Sequence, residues 1–306
     1  MLGALLLAGA AALDPALPAY KPQPFEAPRE VVRVVGYNDM RDLLEPMRVK
    51  FEALHPGFHL RLELTGTRFA PAALAEGRSA FAPMGAEFTP PQLLAYREKV
   101  GADPVAIRVA HAALDAHALS GPLAVFVHRG NPLASLGMDR LARAFTGEAR
   151  TWGDLGAHGD WAMKPLHAYG MKPDTALAYF FRERVLGERL YGERVVGFPQ
   201  SVDVVKMVSE DPLGIGFAAA MRETSGVKAL AIGDPPVALS EESIRAGRYP
   251  LDRYLLIYVR PPIAPFVREF VRFALSREGQ EAVAASPQGY IPLSAFQAAV
   301  ELEKIK

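Results

Sequence analysis

The sequence predicts an α/β fold in which a middle domain is inserted into an outer one. Short apolar runs alternate with segments whose apolar residues recur at helical spacing, and this alternation is typical of sheets covered by helices. Two longer apolar runs, at 123–127 and 254–259, bracket a middle section with strands and helices of its own. We therefore expect the chain to cross twice between two α/β domains.

The predicted elements of the outer domain form strand–turn–helix units. Strands are expected at 31–35, 58–64, 80–84 and 106–109, and helices at 40–54, 70–75 and 90–100. Asn38 or Asp39 stands where the first helix needs an N-cap. Gly66 and Gly85 mark turns after two strands. Because open α/β sheets bind ligands beyond the carboxyl ends of their strands, both turns are expected to line one crevice.

The middle section repeats the alternation, and the chain then returns to the outer domain. Further strands are expected at 123–127, 166–169, 195–197, 214–217, 227–232 and 254–259. Further helices are expected at 139–145, 175–186, 202–208, 265–275 and 277–285. Sheets in this arrangement are predicted to be parallel, because short loops join each strand to a helix.

The composition excludes several classes of function. The 306-residue chain is 50% hydrophobic and 22% charged, as is ordinary for a globular protein. Thirty-four Lys and Arg balance thirty-four Asp and Glu. The chain therefore has no net positive charge to attract nucleic acid, and no nucleic-acid partner is expected. The absence of cysteine excludes disulfides, thiol catalysis and zinc–thiolate sites.

The N-terminal residues predict export. Residues 1–13 are interpreted as a signal peptide, because residues 2–13 form an apolar run that is too short to span a bilayer of about 30 Å. No Lys or Arg precedes Lys21, so the basic leader of such a peptide is missing, which indicates either a truncated start or a different role for this run. Residues 14–29 are rich in proline and are expected to be an extended lead-in.

Several segments resemble, in one order and at similar spacing, the periplasmic solute-binding proteins of phosphate-specific ABC importers. They are TGTRFAPAAL at 65–74, PMGA at 83–86, AVFV at 124–127 with NP at 131–132, FTGE at 145–148, WGDL at 152–155, YPL at 249–251, SREGQ at 276–280 and GYIPL at 289–293. The resemblance runs from Val31 to Leu293. It implies the two-lobed type II periplasmic-binding-protein fold, in which each lobe is a mostly parallel sheet flanked by helices and two strands form the hinge. Lobe I is then 30–118 with 251–306, and lobe II is 119–250.

The resemblance also implies a function. It implies an exported, monomeric and non-enzymatic protein that closes over phosphate or another small oxyanion or polar solute, without a cofactor, and presents it to an inner-membrane ABC permease. The family's anion loops carry hydroxyls and two arginines, which are replaced here by Gly36-Tyr37-Asn38-Asp39, Gly85-Ala86 and residues 170–177. A divergent sensor or scaffold with another ligand or a degenerate site is therefore the alternative.

Polar side chains on the expected loops are the candidate ligand-binding residues. They are Asn38, Asp39, Thr67, Arg68, Glu87, Lys172, Thr175 and Ser201. Arg68 can meet an oxyanion with two parallel hydrogen bonds, and Lys172 can supply a point charge. Helix capping would equally explain Thr67, Thr175 and Asp39. The acids repel a dianion unless one is protonated, so a ligand with hydroxyl or ammonium groups remains an alternative.

Neither catalysis nor metal binding is predicted. The chain has no phosphate-binding P-loop, zinc-protease helix or nucleophile elbow. His111, Asp115 and His117 are residue types that bind metals, but their spacing fits neither one helix face nor one strand face. We therefore expect no metal site and no enzymatic activity.

Overall fold

The computed structural model describes residues 13–115, 118, 120–187, 189–220 and 225–306. The contacts divide the chain into two compact units. Unit 1 is Met1–Ala113 with Tyr254–Lys306, and unit 2 is Leu114–Arg253. The predicted signal peptide lies outside the described residues except for Leu13. Within the described ranges, no helix has the length and apolar character that crossing a membrane requires.

Strands and helices alternate in both units, so the predicted α/β class is confirmed. The strands are β1 Val32–Val35, β2 Leu60–Glu63, β3 Ala82–Met84, β4 Val105–His111, β5 Leu123–His128, β6 Ser135–Leu136, β7 His167–Met171, β8 Val196–Phe198, β9 Gly214–Ala219, β10 Val227–Ala229, β11 Ala231–Ile232 and β12 Tyr254–Val259. The helices are α1 Arg41–Leu54, α2 Ala70–Ala75, α3 Pro90–Val100, α4 Met138–Thr146, α5 Ala176–Phe181, α6 Ser201–Glu210, α7 Glu241–Arg245, α8 Pro265–Ala274, α9 Arg277–Ala284 and α10 Ala295–Glu303.

The sheets are mixed, and the expectation of mostly parallel sheets was wrong. In unit 1, β1 and β2 are parallel, whereas β12 lies between β3 and β4 and is antiparallel to both. In unit 2 the order is β10-β5-β9-β7-β8, with β5 antiparallel to its two neighbours and β7 parallel to β8 and β9. The reason in unit 1 is that Tyr254, where β12 begins, pairs with His111, where β4 ends. When the first residue of one strand pairs with the last residue of its neighbour, the two strands run in opposite directions.

The start of α1 also differs from the prediction. Asn38–Met40 forms a 3-10 turn, and α1 begins after it at Arg41. The N-cap of α1 is Met40, and no side chain caps either the turn or the helix. The N-cap role expected for Asn38 or Asp39 was therefore wrong, because the extra turn moves the helix start beyond both residues.

The lead-in is fixed to unit 1 by a hydrogen-bond cluster at Tyr20. The Tyr20 hydroxyl donates to Oε1 of the buried Glu269 at 2.6 Å and lies 2.6 Å from Nε2 of His55. Glu269 also pairs with Arg272 at 2.6 Å. Burial, followed by the contact with Glu269, raises the pKa of Tyr20 well above its usual range. The phenol therefore keeps its proton and remains a donor.

In unit 2, a carboxylate fixes the end of α6 to β7. Asp211 Oδ2 accepts a hydrogen bond from the Tyr169 hydroxyl at 2.8 Å, and it lies 2.7 Å from His167 Nδ1. The other carboxylate oxygen, Oδ1, accepts a hydrogen bond from the Leu213 N–H at 2.9 Å. Burial raises the pKa of the Asp211 carboxyl, but these bonds outweigh it and the pKa lies below its usual value. Asp211 is thus held as a carboxylate that joins α6, β7 and the start of β9.

Removing the Tyr20 hydroxyl should destabilise unit 1. In Tyr20→Phe the buried Glu269 carboxylate loses a donor, and the free energy of unfolding should fall by about 1–3 kcal/mol. The control is Tyr96→Phe, because the Tyr96 hydroxyl is buried without a hydrogen-bond partner among the described residues. Removing that hydroxyl should leave stability unchanged or raise it. Urea unfolding of both variants checks this, and equal losses would contradict it.

The bonds to Asp211 should make stability depend on pH. Since the folded pKa lies below the unfolded one, their contribution is present above the unfolded value, near 3.8, and is lost as pH falls through the folded value. Asp211→Asn should therefore be less stable than the wild type at pH 7, and the difference should shrink towards pH 3. Asp160→Asn, at an exposed carboxylate, should show no such trend in the same urea titrations. A constant difference for Asp211→Asn would contradict the assignment.

Candidate functional site

Three loops of unit 1 meet at the carboxyl ends of β1, β2 and β3. We call them loop 1 (residues 36–39), loop 2 (residues 65–68) and loop 3 (residues 85–87). Gly66 N–H donates to Gly36 O at 2.9 Å, and Tyr37 N–H donates to Pro83 O at 2.9 Å. These backbone bonds bring the three loops into direct contact.

Glycine permits this close approach. A Cβ on Gly36 would lie 2.5 Å from Pro83 Cδ, and one on Gly85 would lie 2.3 Å from Tyr37 Cε1. Both distances are well inside van der Waals contact, so a side chain at either position would push the loops apart. Gly66, with φ of 128°, has a backbone conformation that L side chains rarely adopt.

Five predicted residues lie on these three loops. Asn38 is exposed, and its Nδ2 donates to Asp39 Oδ1 at 2.6 Å, so these two side chains bind each other. Thr67 begins the 3-10 turn Thr67–Phe69, which leads into α2 without a side-chain cap. The capping explanation for Asp39 and Thr67 is therefore wrong, because neither side chain caps the turn or the helix that follows it.

Arg68 and Glu87 carry the opposite charges of loops 2 and 3. Arg68 is exposed, and its guanidinium lies 4.5 Å from the centroid of the Phe69 ring. Among the described residues, no carboxylate forms an ion pair with Arg68. Glu87 is exposed, and its charge adds to burial in raising the pKa of Tyr258 to about 12, although the Phe88 N–H opposes the rise. Loop 2 therefore presents a cation to solvent, and loop 3 an anion.

Three strand ends also meet in unit 2, around Ser201. Lys172 N–H donates to Phe198 O at 2.8 Å, which joins the end of β7 to the end of β8. The Ser201 hydroxyl accepts from the Ala219 N–H, at the end of β9, at 3.2 Å, and it lies 3.8 Å from Met171 Sδ. Ser201 is the first residue of α6, where the backbone N–H groups have no partner within the helix.

Lys172 and Thr175 occupy the turn between β7 and α5. The Thr175 hydroxyl accepts from the Ala178 N–H at 3.2 Å and donates to Lys172 O at 2.8 Å, so Thr175 is the N-cap of α5. Its capping role is confirmed. The Lys172 side chain is exposed and forms no ion pair in the described part of the chain. Unit 2 thus presents one cation beside two hydroxyls that also hold its loops together.

Tyr37 was missed by the sequence reasoning. It follows Gly36 in loop 1, is half-buried, and places its ring over Gly85 of loop 3. The signal in the sequence was that loop 1 contains a large side chain, Tyr37, whereas loop 3 contains a glycine, Gly85. That pairing is visible only when the two loops are known to touch.

The residues with metal-binding side chains do not assemble into a metal site in the part of the chain that the structure describes. There, no three His, Cys, Asp or Glu side chains group in a way that could hold a metal ion. His111 is buried, with Nε2 at 3.2 Å from Gln297 Oε1, and Asp115 is exposed. His117 lies outside the described residues.

Comparison with known proteins places this architecture in a family. The model of the PBP superfamily domain matches residues 27–278. Over 301 residues the chain is 33% identical to the phosphate-binding protein PstS of Pseudomonas aeruginosa, with 93% of this chain and 89% of that relative covered. The chain belongs to the PstS family of phosphate-binding proteins, within the PBP superfamily.

Solved structures share the fold of this family. An ABC-type phosphate transport receptor from Vibrio cholerae superposes with a TM-score of 0.59 and 16% identity, covering 85% of this chain and 99% of that chain. PstS from Borrelia burgdorferi gives 0.58 and 15%, covering 87% and 99%. The two-lobed periplasmic-binding-protein fold is therefore confirmed.

The glycine contacts of loop 1 should be sensitive to one added methyl group. Gly36→Ala should lower the free energy of unfolding by about 1–3 kcal/mol, because the new Cβ overlaps Pro83. Gly130→Ala is the control, since that glycine is exposed and its Cβ would meet a His128 ring atom no closer than 3.3 Å. Thermal and urea unfolding measure both. A Gly36→Ala variant as stable as Gly130→Ala would contradict the proposed close contact.

Proposed function

We propose that the protein is an exported solute-binding protein of a phosphate-type ABC importer and that it binds phosphate or another small oxyanion. The observation that carries the proposal is the pair of exposed cations, Arg68 and Lys172, which stand on strand-end loops of a chain from the PstS family. Neither cation forms an ion pair with a carboxylate among the described residues. A bound oxyanion would supply the missing partner.

The cations and the start of α6 are groups of the type that bind oxyanions. A guanidinium offers parallel N–H donors that match two oxygens of a tetrahedral anion, and an ammonium adds charge without fixed geometry. Ser201 begins a ten-residue helix whose first N–H groups and dipole favour negative charge. We propose Asn38, Asp39, Thr67, Arg68, Glu87, Lys172, Thr175 and Ser201 as the residues that face the ligand.

The acidic residues favour one alternative. Asp39 and Glu87 stand on loops 1 and 3, and with Arg68 they give this part of unit 1 two negative charges against one positive charge. A dianion would be repelled there unless a proton is shared with one carboxylate. This balance favours a protonated oxyanion, and it also supports a divergent sensor or scaffold that binds a different polar solute.

The remaining parts of the proposal follow from the family. We propose that units 1 and 2 correspond to lobes I and II, that the protein acts outside the cytoplasm as a monomer without enzymatic activity, and that an inner-membrane ABC permease is its partner. These statements rest on what the resemblance to the binding proteins of phosphate importers implies, and the relationship to PstS supports the phosphate-binding role that they share. Residues 1–13 would direct the export.

Loss of either cation should weaken phosphate binding. Arg68→Ala and Lys172→Ala each remove a charged donor, which should lower the affinity for phosphate by about 10- to 100-fold. Isothermal titration of ligand-free protein with phosphate measures the effect. The controls are Arg61→Ala and Lys206→Ala, which remove exposed cations on β2 and α6, away from the loops. Both control variants should bind phosphate as the wild type does.

Two results would contradict the proposal. Absence of both heat and a thermal shift at millimolar phosphate would exclude phosphate as the ligand of the wild-type protein. Equal losses in the controls and in the Arg68 and Lys172 variants would show that the general charge of the protein, and not these two side chains, attracts the anion.

A further inference from the structure

The Arg68 guanidinium of loop 2 lies against an aromatic ring. Its Cζ is placed over the ring of Phe69, 4.5 Å from the ring centroid. A cation within about 6 Å of an aromatic centroid is attracted by the negative face of the ring. Phe69 is 45% exposed, whereas Ala70 and Leu74, which follow it in the chain, are fully buried in the core of unit 1. The ring therefore lies outside the core, beside the guanidinium.

The contact is not a simple result of sequence adjacency. Arg68 and Phe69 belong to the 3-10 turn Thr67–Phe69, which is closed by a hydrogen bond from Ala70 N–H to Thr67 O. Consecutive side chains of a helical turn do not face each other. The stem of Arg68 must therefore bend back for its guanidinium to lie over the ring of the next residue. This position selects one conformation of a side chain that otherwise has many.

The contact leaves the hydrogen-bond donors of Arg68 available. A phenyl ring has no nitrogen or oxygen acceptor, whereas a carboxylate occupies N–H donors and neutralises the charge. Arg33 shows the difference, because its Nε and Nη2 both donate to the Glu63 carboxylate, at 3.1 and 2.6 Å. In the ranges that the structure describes, Arg68 forms no such ion pair. Its guanidinium is thus supported while its donors remain free for a ligand.

We propose that Phe69 is a positioning residue of the ligand site, whose ring holds the Arg68 guanidinium ready for the oxyanion. It acts through Arg68 and needs no contact of its own with the ligand. A guanidinium that is already held loses less conformational freedom when the anion binds, so the affinity is higher. This role rests on the proposed function, since it assumes that Arg68 binds the oxyanion.

Two carboxylates at the same edge make such a support useful. Asp39 and Glu87 stand on loops 1 and 3, which contact each other and loop 2 through backbone hydrogen bonds. An arginine that paired with either carboxylate would lose donors and charge that the oxyanion needs. Exposed ion pairs and exposed cation–π contacts have similar strengths. The Phe69 ring can therefore compete with these carboxylates for the guanidinium.

The first test removes the ring and then restores it. Phe69→Leu keeps an apolar side chain, and the dissociation constant for phosphate in isothermal titration should rise about two- to fivefold, the factor that an exposed cation–π contact supplies. Phe69→Trp restores a ring with a stronger negative face and should bind at least as tightly as the wild type. The control is Phe296→Leu, the same replacement at a phenylalanine of α10 that is 78% exposed, and it should bind phosphate as the wild type does.

The second test asks whether Phe69 acts through Arg68. Arg68→Ala and the double variant Arg68→Ala/Phe69→Leu should bind phosphate equally, because the ring then has no guanidinium to position. A purely structural role of Phe69 would instead weaken binding by the same factor whether or not Arg68 is present.

The third test observes the guanidinium without phosphate. In NMR spectra of the ligand-free protein, the ring current of Phe69 should shift the Arg68 Hδ and Hε resonances upfield. Phe69→Leu should abolish this shift, and Phe69→Trp should keep it. Arg61, an exposed arginine of β2 in the same unit, is the internal reference, and its resonances should stay in place.

The outcomes separate this role from the proposed function. If Arg68→Ala weakens phosphate binding but Phe69→Leu binds as tightly as the wild type, the role of Phe69 is overturned and the proposed function stands. An equal loss from Phe69→Leu with and without Arg68 overturns the role as well, and so does an Arg68 signal that Phe69→Leu leaves unchanged. If the wild type itself gives no heat with phosphate, the proposed function fails, and the role of Phe69 fails with it.

Discussion

The close contact of strand-end loops in unit 1 is the constraint on which its candidate site depends. Gly36 and Gly85 lack the side chains that would separate the loops, and the bonds from Gly66 N–H to Gly36 O and from Tyr37 N–H to Pro83 O hold them together. Residues that are far apart in the chain, from Asn38 to Glu87, thereby share one edge of the unit. The chemistry of the site follows from this backbone arrangement.

Unit 2 reaches a comparable arrangement by different means. Its strand ends are joined by the bond from Lys172 N–H to Phe198 O and by the Ser201 hydroxyl, which accepts from the Ala219 N–H. The Thr175 hydroxyl is likewise used in capping α5. Hydroxyls that look like ligand donors in the sequence thus also have structural roles, and Lys172 is the one proposed ligand-facing residue of unit 2 that carries a positive charge.

The balance of charge on these loops bears on the ligand. Arg68 and Lys172 have no carboxylate partners among the described residues, whereas Asp39 and Glu87 bring negative charge to the same edge as Arg68. A fully ionised anion is disfavoured beside two carboxylates, while a protonated oxyanion can share its proton with one of them.

The sequence by itself determined the α/β class and the family, because apolar periodicity and the order of short segments such as TGTRFAPAAL and GYIPL are local properties of the chain. It did not predict that β12 runs antiparallel to β4, that a 3-10 turn displaces the start of α1, or that Tyr37 covers Gly85. Strand direction and the contact between loops depend on residues that are distant in the chain. Only the tertiary structure brings those residues together, and so only it decided which side chains stand at the strand ends and which neighbours they have.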